Sequence, residues 1–247
     1  MSAFSPCALI PSYNNPLTVE EVVRRVAQHL ETIVVVDDGS DEDARVVLDR
    51  LQQSGAITLV RRDENGGKGA AMKSGLAKAA ELGFSHAMQV DADLQHDLED
   101  IPRFLEVARE QPRALVLGSP RFDETRPPGR KFGHAFAAFW TRLEIGSDAI
   151  EDPQCGFRVY PVEAANAVHV RSDRMDYDLE VCVRLVWSGC PVVNIPTHVR
   201  YLSAEEGGVS HFHMVRDNAL ISWMHTRLVL IAIWLWVSGR GRRGNTQ

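Results

Sequence analysis

Apolar residues fall along this chain in short runs, each closed by a polar turn. Residues 7–10 are apolar and stop at Pro11-Ser12-Tyr13-Asn14-Asn15-Pro16, which predicts a strand and then a loop. Val22, Val23, Val26 and Leu30 recur at helical spacing, with Thr18 at the N-cap position and Glu21 three residues on, predicting a helix over 18–30. Residues 33–36 are β-branched throughout and end in Asp37-Asp38-Gly39-Ser40, the pattern of a strand buried on both faces. A helix over 43–53, a strand over 57–60 and a helix over about 68–82, closed by Gly83, come next. Residues 84–90 lead as a strand into Asp91-Ala92-Asp93-Leu94-Gln95-His96, followed by a helix over 98–110 and a strand over 114–117.

Strands and helices thus alternate over roughly the first 120 residues, which predicts a doubly wound, mostly parallel α/β sheet with right-handed crossovers. Ligands of such sheets bind outside the carboxyl ends of the strands. The three polar motifs at 11–15, 37–40 and 91–95 each follow a strand, so all three fall on that one edge. After Gly118 the pattern changes. Residues 121–130 are rich in proline, glycine and charge and have no apolar period, as in a loop that acts as a lid or substrate clamp. Helices over 132–145, 162–168 and 176–188 and a strand over 155–160 follow. A strand over 191–201 carries Pro196 and is therefore expected at a sheet edge. A glycine-rich hairpin over 205–209 precedes one long helix over 214–237 and a basic tail. The expected division is a domain of residues 1–212, in two halves that meet at about residue 120, and a C-terminal extension of 213–247 made of an amphipathic helix and a basic tail.

Composition narrows the function. Hydrophobic residues at 45% and charged residues at 24% supply an ordinary globular core, and a formal net charge of −6 argues against nucleic acid as a partner. The four cysteines, Cys7, Cys155, Cys182 and Cys190, are widely spaced and form no CxxC, which points away from zinc and from a disulfide scaffold and toward reduced thiols in the cytoplasm. Residues 1–6 lack a basic region followed by an apolar core, so no secretory leader is expected.

The chemistry centres on Asp91 and Asp93. In an extended chain residues i and i+2 share a face, so both carboxylates are expected to aim at one point past the strand end. Hard oxygen ligands of this kind suit Mg²⁺ or Mn²⁺, with phosphate oxygens completing the shell and Gln95 adding an amide oxygen. Read as bland structure, the same motif is an acidic solvated loop. Asp38, with Asp37 beside it, can accept hydrogen bonds from a base or ribose; the bland reading is a common turn. Asn65-Gly66-Gly67-Lys68-Gly69 lacks the Walker pattern, and Lys68 either faces a phosphate or opens a helix. His211 is a candidate contact to metal or diphosphate, a structural histidine being the commoner case.

The ordered set Pro11-Ser12-Tyr13-Asn14, Asp37-Asp38-Gly39-Ser40, Asn65-Gly66-Gly67-Lys68-Gly69 and Asp91-Ala92-Asp93-Leu94-Gln95-His96 resembles the family 2 glycosyltransferases. Asp152-Pro153-Gln154-Cys155-Gly156-Phe157-Arg158-Val159-Tyr160 is similar to the dolichyl-phosphate mannose synthase branch. The resemblance covers roughly residues 7–201. It implies a GT-A fold and inverting transfer of a hexose from a nucleotide-diphospho-sugar of the GDP-mannose or UDP-glucose type. By the same resemblance Pro11, Tyr13, Asn14, Asp37, Asp38, Lys68 and Arg121 belong to the nucleotide-sugar site. Asp91, Asp93 and Gln95 hold the metal, Arg130 sits on the phosphates, and Asp152 and Arg158 face the acceptor. Asn14 or Asn15 stands where the branch carries an acidic residue, Pro120 separates Ser119 from Arg121, and Asp178-Leu179-Glu180 replaces a Gln-x-Glu pair. The absence of QxxRW argues against a processive polysaccharide synthase.

The acceptor decides what the residues must do. A polyprenyl phosphate is already anionic and needs cations such as Arg130 and Arg158, whereas a hydroxyl acceptor, as in bacterial lipid or aryl-polyene pathways, needs a base, with Asp152 the candidate. The ten apolar residues from Leu228 to Val237, with Trp234, Trp236 and then Arg240, Arg242 and Arg243, are too few to span a bilayer. They suit an interfacial helix at the inner face of the cytoplasmic membrane, or else a core or homodimer helix. Two competing functions share the fold edge: a nucleotidyltransferase, which would need a glycine-rich loop after the first strand, and a non-catalytic nucleotide- or sugar-binding module.

Overall fold

Every residue of β2 (Ile33–Asp37) is buried, because the strand has neighbours on both sides and helices on both faces. It pairs in parallel with β1 (Pro6–Ser12) and β3 (Thr58–Arg61), and β1 pairs in parallel with β4 (His86–Gln89). In this computed structural model residues 3–122, 128–200 and 212–238 are described, the side chains of residues 122 and 128–132 excepted. Within them one sheet has the order β3-β2-β1-β4-β6-β5-β7. β6 (Arg158–Pro161) runs antiparallel to both β4 and β5 (Leu115–Phe122), and β7 (Val192–Val199) lies parallel to β5 at the edge. Pro196 falls on that edge strand, where a missing N–H leaves no gap in a ladder.

The helices between the strands are α1 (Val19–Val26), α2 (Glu42–Gln53), α3 (Lys68–Glu81), α4 (Ile101–Glu110, preceded by a 3-10 turn, Leu98–Asp100) and α5 (Pro128–Ile145), then α6 (Val162–Ala167) and α7 (Tyr177–Trp187). α1 is shorter than its periodicity predicts, and Thr18 does not cap it with its side chain. The Thr18 hydroxyl donates instead to the carbonyl of Ala92, tying the start of α1 to the acidic loop. The strand expected to run to residue 90 stops at Gln89, and Leu94 has a positive φ of 58°, so Asp91 and Asp93 sit in a turn rather than on extended chain. β5 runs to residue 122 and α5 begins at Pro128, a residue suited to a first helical turn. Arg130 is therefore helical rather than part of a loop.

α8 (Met214–Val237) is divided in its packing. Ile221, Met224 and Leu228 join Ala137 of α5 and Leu179 and Val183 of α7 in a second apolar cluster. His225 Nδ1 lies 2.7 Å from Glu144 Oε1, and Arg227 pairs with Glu180, both carboxylates being buried. Toward its end α8 exposes Leu230, Ile233, Trp234 and Trp236. By length and composition the whole helix is long and apolar enough to cross a membrane, although the run from Leu228 to Val237 alone is not.

Candidate active site

The carboxyl ends of β1, β2 and β4 bring the three polar motifs to one edge, as their order predicts. Asp91 lies at its centre and is positioned from three sides. Gln89, wholly buried at the end of β4, accepts from the Tyr160 hydroxyl (3.0 Å) and donates to Asp91 Oδ1 (3.2 Å). Lys68 Nζ lies 2.8 Å from Asp91 Oδ2 and 2.8 Å from Asp178 Oδ2 at the start of α7. Gly156 backs onto the same carboxylate so closely that a Cβ there would stand 2.1 Å from Asp91 Oδ2. Burial opposes the charge on Lys68, and the two aspartates outweigh it and hold the ammonium charged. Burial likewise opposes the charge on Asp91, and the Lys68 ammonium outweighs it and holds the carboxyl below its ordinary range.

Asp93 has the opposite electrostatics. Burial and then the Asp91 charge push it up to about 6, although its Oδ1 accepts from the Gln95 amide at 3.1 Å. Two crowded carboxylates that repel each other form a site that a further cation would stabilise. Among the described residues no group of three or more His, Cys, Asp or Glu is placed to hold a metal ion. Mg²⁺ does not ask for one: it takes one or two carboxylates and fills the remainder with water and substrate phosphate. Asp91 and Asp93, with Gln95 in the same turn, fit that requirement. His96, stacked on Phe157 at 5.2 Å, is driven down to about 4 by burial and stays neutral beside them.

The nucleotide-side candidates are brought to the edge, but much of their polar capacity serves the loops themselves. Asp38 accepts from Gly66 N (3.1 Å), Gly67 N (2.7 Å) and Arg62 Nε (2.8 Å), so the glycine amides cradle a carboxylate of the chain and not a phosphate. Asp37, wholly buried, accepts from Ser40 N and Arg61 Nε. Asn14, at φ 52°, accepts from Asp41 N and donates its own amide to Ser40 Oγ, which locks the first two edge loops together. Pro11 closes β1, and Tyr13 is partly buried with its amide donating to Asn15 Oδ1. Arg121 is exposed near the end of β5, in register with His198.

The acceptor-side residues depart further from expectation. Arg158, expected to face the acceptor, is wholly buried. It donates to the carbonyls of Cys155, Pro153 and Asp178 and lies 3.8 Å from Asp178 Oδ1. Its side chain is turned into the interior from β6, between β4 and β5, where its hydrogen bonds hold the 153–155 turn. Asp152 is nearly buried, and its Oδ2 lies 2.6 Å from His134 Nδ1 on α5 while its Oδ1 accepts from Gln154 N. The side chain of Arg130 and the whole of His211 lie outside the described residues.

Sequence reading gives no site role to Gln89, Tyr160, Gly156, Asp178 or His134, although Gly156, Tyr160 and Asp178 stand in the segments that carry the resemblance. Gln89 carries a usable signal, a polar residue inside an apolar strand. The others depend on antiparallel β6 and on helices distant in sequence.

The family model for glycosyl transferase family 2 matches residues 7–164. A UDP-N-acetylglucosamine–dolichyl-phosphate N-acetylglucosaminyltransferase of Methanococcus voltae is 28% identical over 185 residues, 68% of this chain and 72% of that protein. An undecaprenyl-phosphate mannosyltransferase of Micrococcus luteus is 26% identical over 238 residues, 92% of this chain and 94% of that one. Glucosyl-3-phosphoglycerate synthase from Mycobacterium tuberculosis, solved with Mn²⁺ and UDP-glucose, superposes with a TM-score of 0.67 at 15% identity, over 92% of this chain and 78% of that one. That likeness establishes the GT-A fold.

Proposed function

This chain belongs to glycosyl transferase family 2, and from that premise we propose that it moves a hexose, with inversion, from a nucleotide-diphospho-sugar to a polyprenyl phosphate. The observation that carries the reading is the Asp91–Asp93 turn at the sheet edge, with Lys68 held against Asp91. Relatives named for dolichyl and undecaprenyl phosphate acceptors support the acceptor class. Asp91, Asp93 and Gln95 would hold Mg²⁺ or Mn²⁺, which supplies positive charge to the departing diphosphate when bound. Lys68 adds fixed charge at that point, and Arg121 and Arg130 are the further cations for the phosphates. The loops bearing Pro11, Tyr13, Asn14, Asp37 and Asp38 form the nucleotide end. An acceptor phosphate oxygen forms the new bond to the anomeric carbon as the bond to the diphosphate breaks. The electron pair leaves with the nucleoside diphosphate, and no proton need move.

One contact favours a second reading. A histidine held by a carboxylate at 2.6 Å, as His134 is by Asp152, is the arrangement of a general base, which a hydroxyl acceptor requires. In either case the enzyme works at a membrane surface on the cytoplasmic side, with the exposed end of α8 and Phe136, Phe139 and Leu143 of α5 as its apolar face.

The test is a screen of labelled nucleotide sugars with Mn²⁺ or Mg²⁺, offering polyprenyl phosphate or the matching polyprenol. Transfer to the phosphate, lost in Asp91→Asn and on chelation, is expected. Transfer to the polyprenol alone, together with its loss in His134→Gln, selects the second reading. Near-wild-type turnover of Asp91→Asn removes the metal site from the account.

A further inference from the structure

Away from the catalytic edge, α7, α8 and the segment before α7 enclose a groove of about 360 Å³ lined by His169, Arg171, Arg184, Trp223, Arg227, Leu230 and Ile231. We infer that this groove binds the anionic headgroup of a membrane phospholipid, and so fixes how the enzyme sits on the bilayer that carries its acceptor. The inference rests on the membrane-surface reading above and adds a specific site to it.

Charge is the first reason. Three guanidinium groups reach the groove, and two of them, Arg184 and Arg227, pair with Glu180. Glu180 accepts from Arg184 Nε (3.1 Å) and Nη2 (2.9 Å), from Ser172 N (3.0 Å) and Oγ (2.7 Å), and from Arg227 Nη2. It is wholly buried, so one carboxylate is shared by two of the three guanidinium groups. Arg171 and His169 are exposed at the rim, and Arg227 Nε is buried with no hydrogen-bond partner among the described residues. The surplus is positive, and a donor is left over.

Shape is the second reason. Trp223, Arg227, Leu230 and Ile231 lie at helical spacing along one side of α8, with Trp223 66% and Leu230 63% exposed. The same helix runs on into exposed Ile233 and Trp234. A cationic pocket that opens onto a tryptophan-bearing apolar helix matches an amphiphile with its phosphate inside and its chains alongside the helix. The acceptor's own phosphate is a poorer occupant. Arg184 stands six residues along α7 from Asp178, which places it roughly 120° round the helix from the residue that faces Lys68.

Flotation of the full chain with vesicles tests this, using phosphatidylcholine alone and phosphatidylcholine with phosphatidylglycerol. The wild type should favour the anionic vesicles and lose that preference in high salt. Arg171→Glu, at an exposed position outside the transfer site, should float about thirtyfold less on anionic vesicles. That is the effect of two unit charges at such a surface, and binding to neutral vesicles should not change. Its sugar transfer in detergent should equal the wild type, showing an intact fold. Equal flotation of Arg171→Glu and wild type on anionic vesicles overturns the headgroup site while leaving the membrane reading standing, as does wild-type flotation that ignores lipid charge. Absence of wild-type flotation on either vesicle overturns both. Binding of inorganic phosphate that is lost in Arg171→Glu, with anionic-vesicle flotation unaffected by saturating phosphate, makes the groove a free-phosphate site and overturns the lipid assignment.

Discussion

The two sides of the sheet are held together by different forces. Around β1, β2 and β4 the interior is almost wholly aliphatic: Leu9, Ile10, Val34, Val35, Val36 and Met88 are fully buried, and the charges stay at the strand ends. On the side of β6, α5, α7 and α8 the interior contains Arg158, Glu180, Glu144, His225 and Asp178, each paired to a neighbour. The difference teaches where each half takes its specificity. Aliphatic burial is non-directional and stabilises a scaffold on which edge loops can carry the chemistry. Buried ion pairs add little net stability but punish any arrangement that separates them, so they dictate how α8 docks on α5 and α7. That docking orients the exposed apolar end of α8 relative to the candidate active site.

The sharpest test of this contrast is Glu180→Ala. It strands Arg184 and Arg227 without their counter-ion and should cost roughly 3–5 kcal/mol in denaturant unfolding, with α8 losing hydrogen-exchange protection first. A change under about 1 kcal/mol, the range of an exposed pair, would mean that α8 is held by its apolar contacts alone.

Gly156→Ala probes where the halves meet. A methyl group 2.1 Å from Asp91 Oδ2 must displace either the carboxylate or the 152–156 turn. A misplacement of about 1 Å should lower kcat/KM for sugar transfer by roughly a hundredfold, with a smaller effect on stability. Unchanged kcat/KM would show that the side of β6, α5, α7 and α8 does not position Asp91 through this contact.

The smallest effect is expected at His86, a buried titratable side chain of the aliphatic half. Its ring lies 2.9 Å from Ser85 Oγ and 3.0 Å from the Pro112 carbonyl, and burial holds its pKa below the ordinary 6.5. The unfolded chain then binds the proton first. Stability is full above pH 6.5 and declines as the pH falls toward the folded-state pKa. Unfolding curves across that window should be flatter for His86→Gln than for the wild type. Identical slopes would assign the acid sensitivity to the charged half instead.

The chain's own pattern determined the alternating elements, the shared edge of the three polar motifs, the edge position of Pro196 and the extent of α8. Apolar periodicity, turn residues and strand order are local, and a parallel α/β sheet needs little else. The acidic pair was legible for the same reason, since Asp91 and Asp93 announce themselves by type and position. Only the tertiary structure decided what each charged group faces. Lys68 bridges Asp91 and Asp178, Asp38 takes the Gly66 and Gly67 amides, Asp152 meets His134, and Arg158 turns inward. Most of these contacts join distant parts of the chain through the antiparallel insertion of β6 or the docking of α5 and α7. A guanidinium in a Gly-Phe-Arg segment has the same composition whether it binds a ligand or a turn of its own chain. Burial separates the two cases, and burial is a property of the packed molecule.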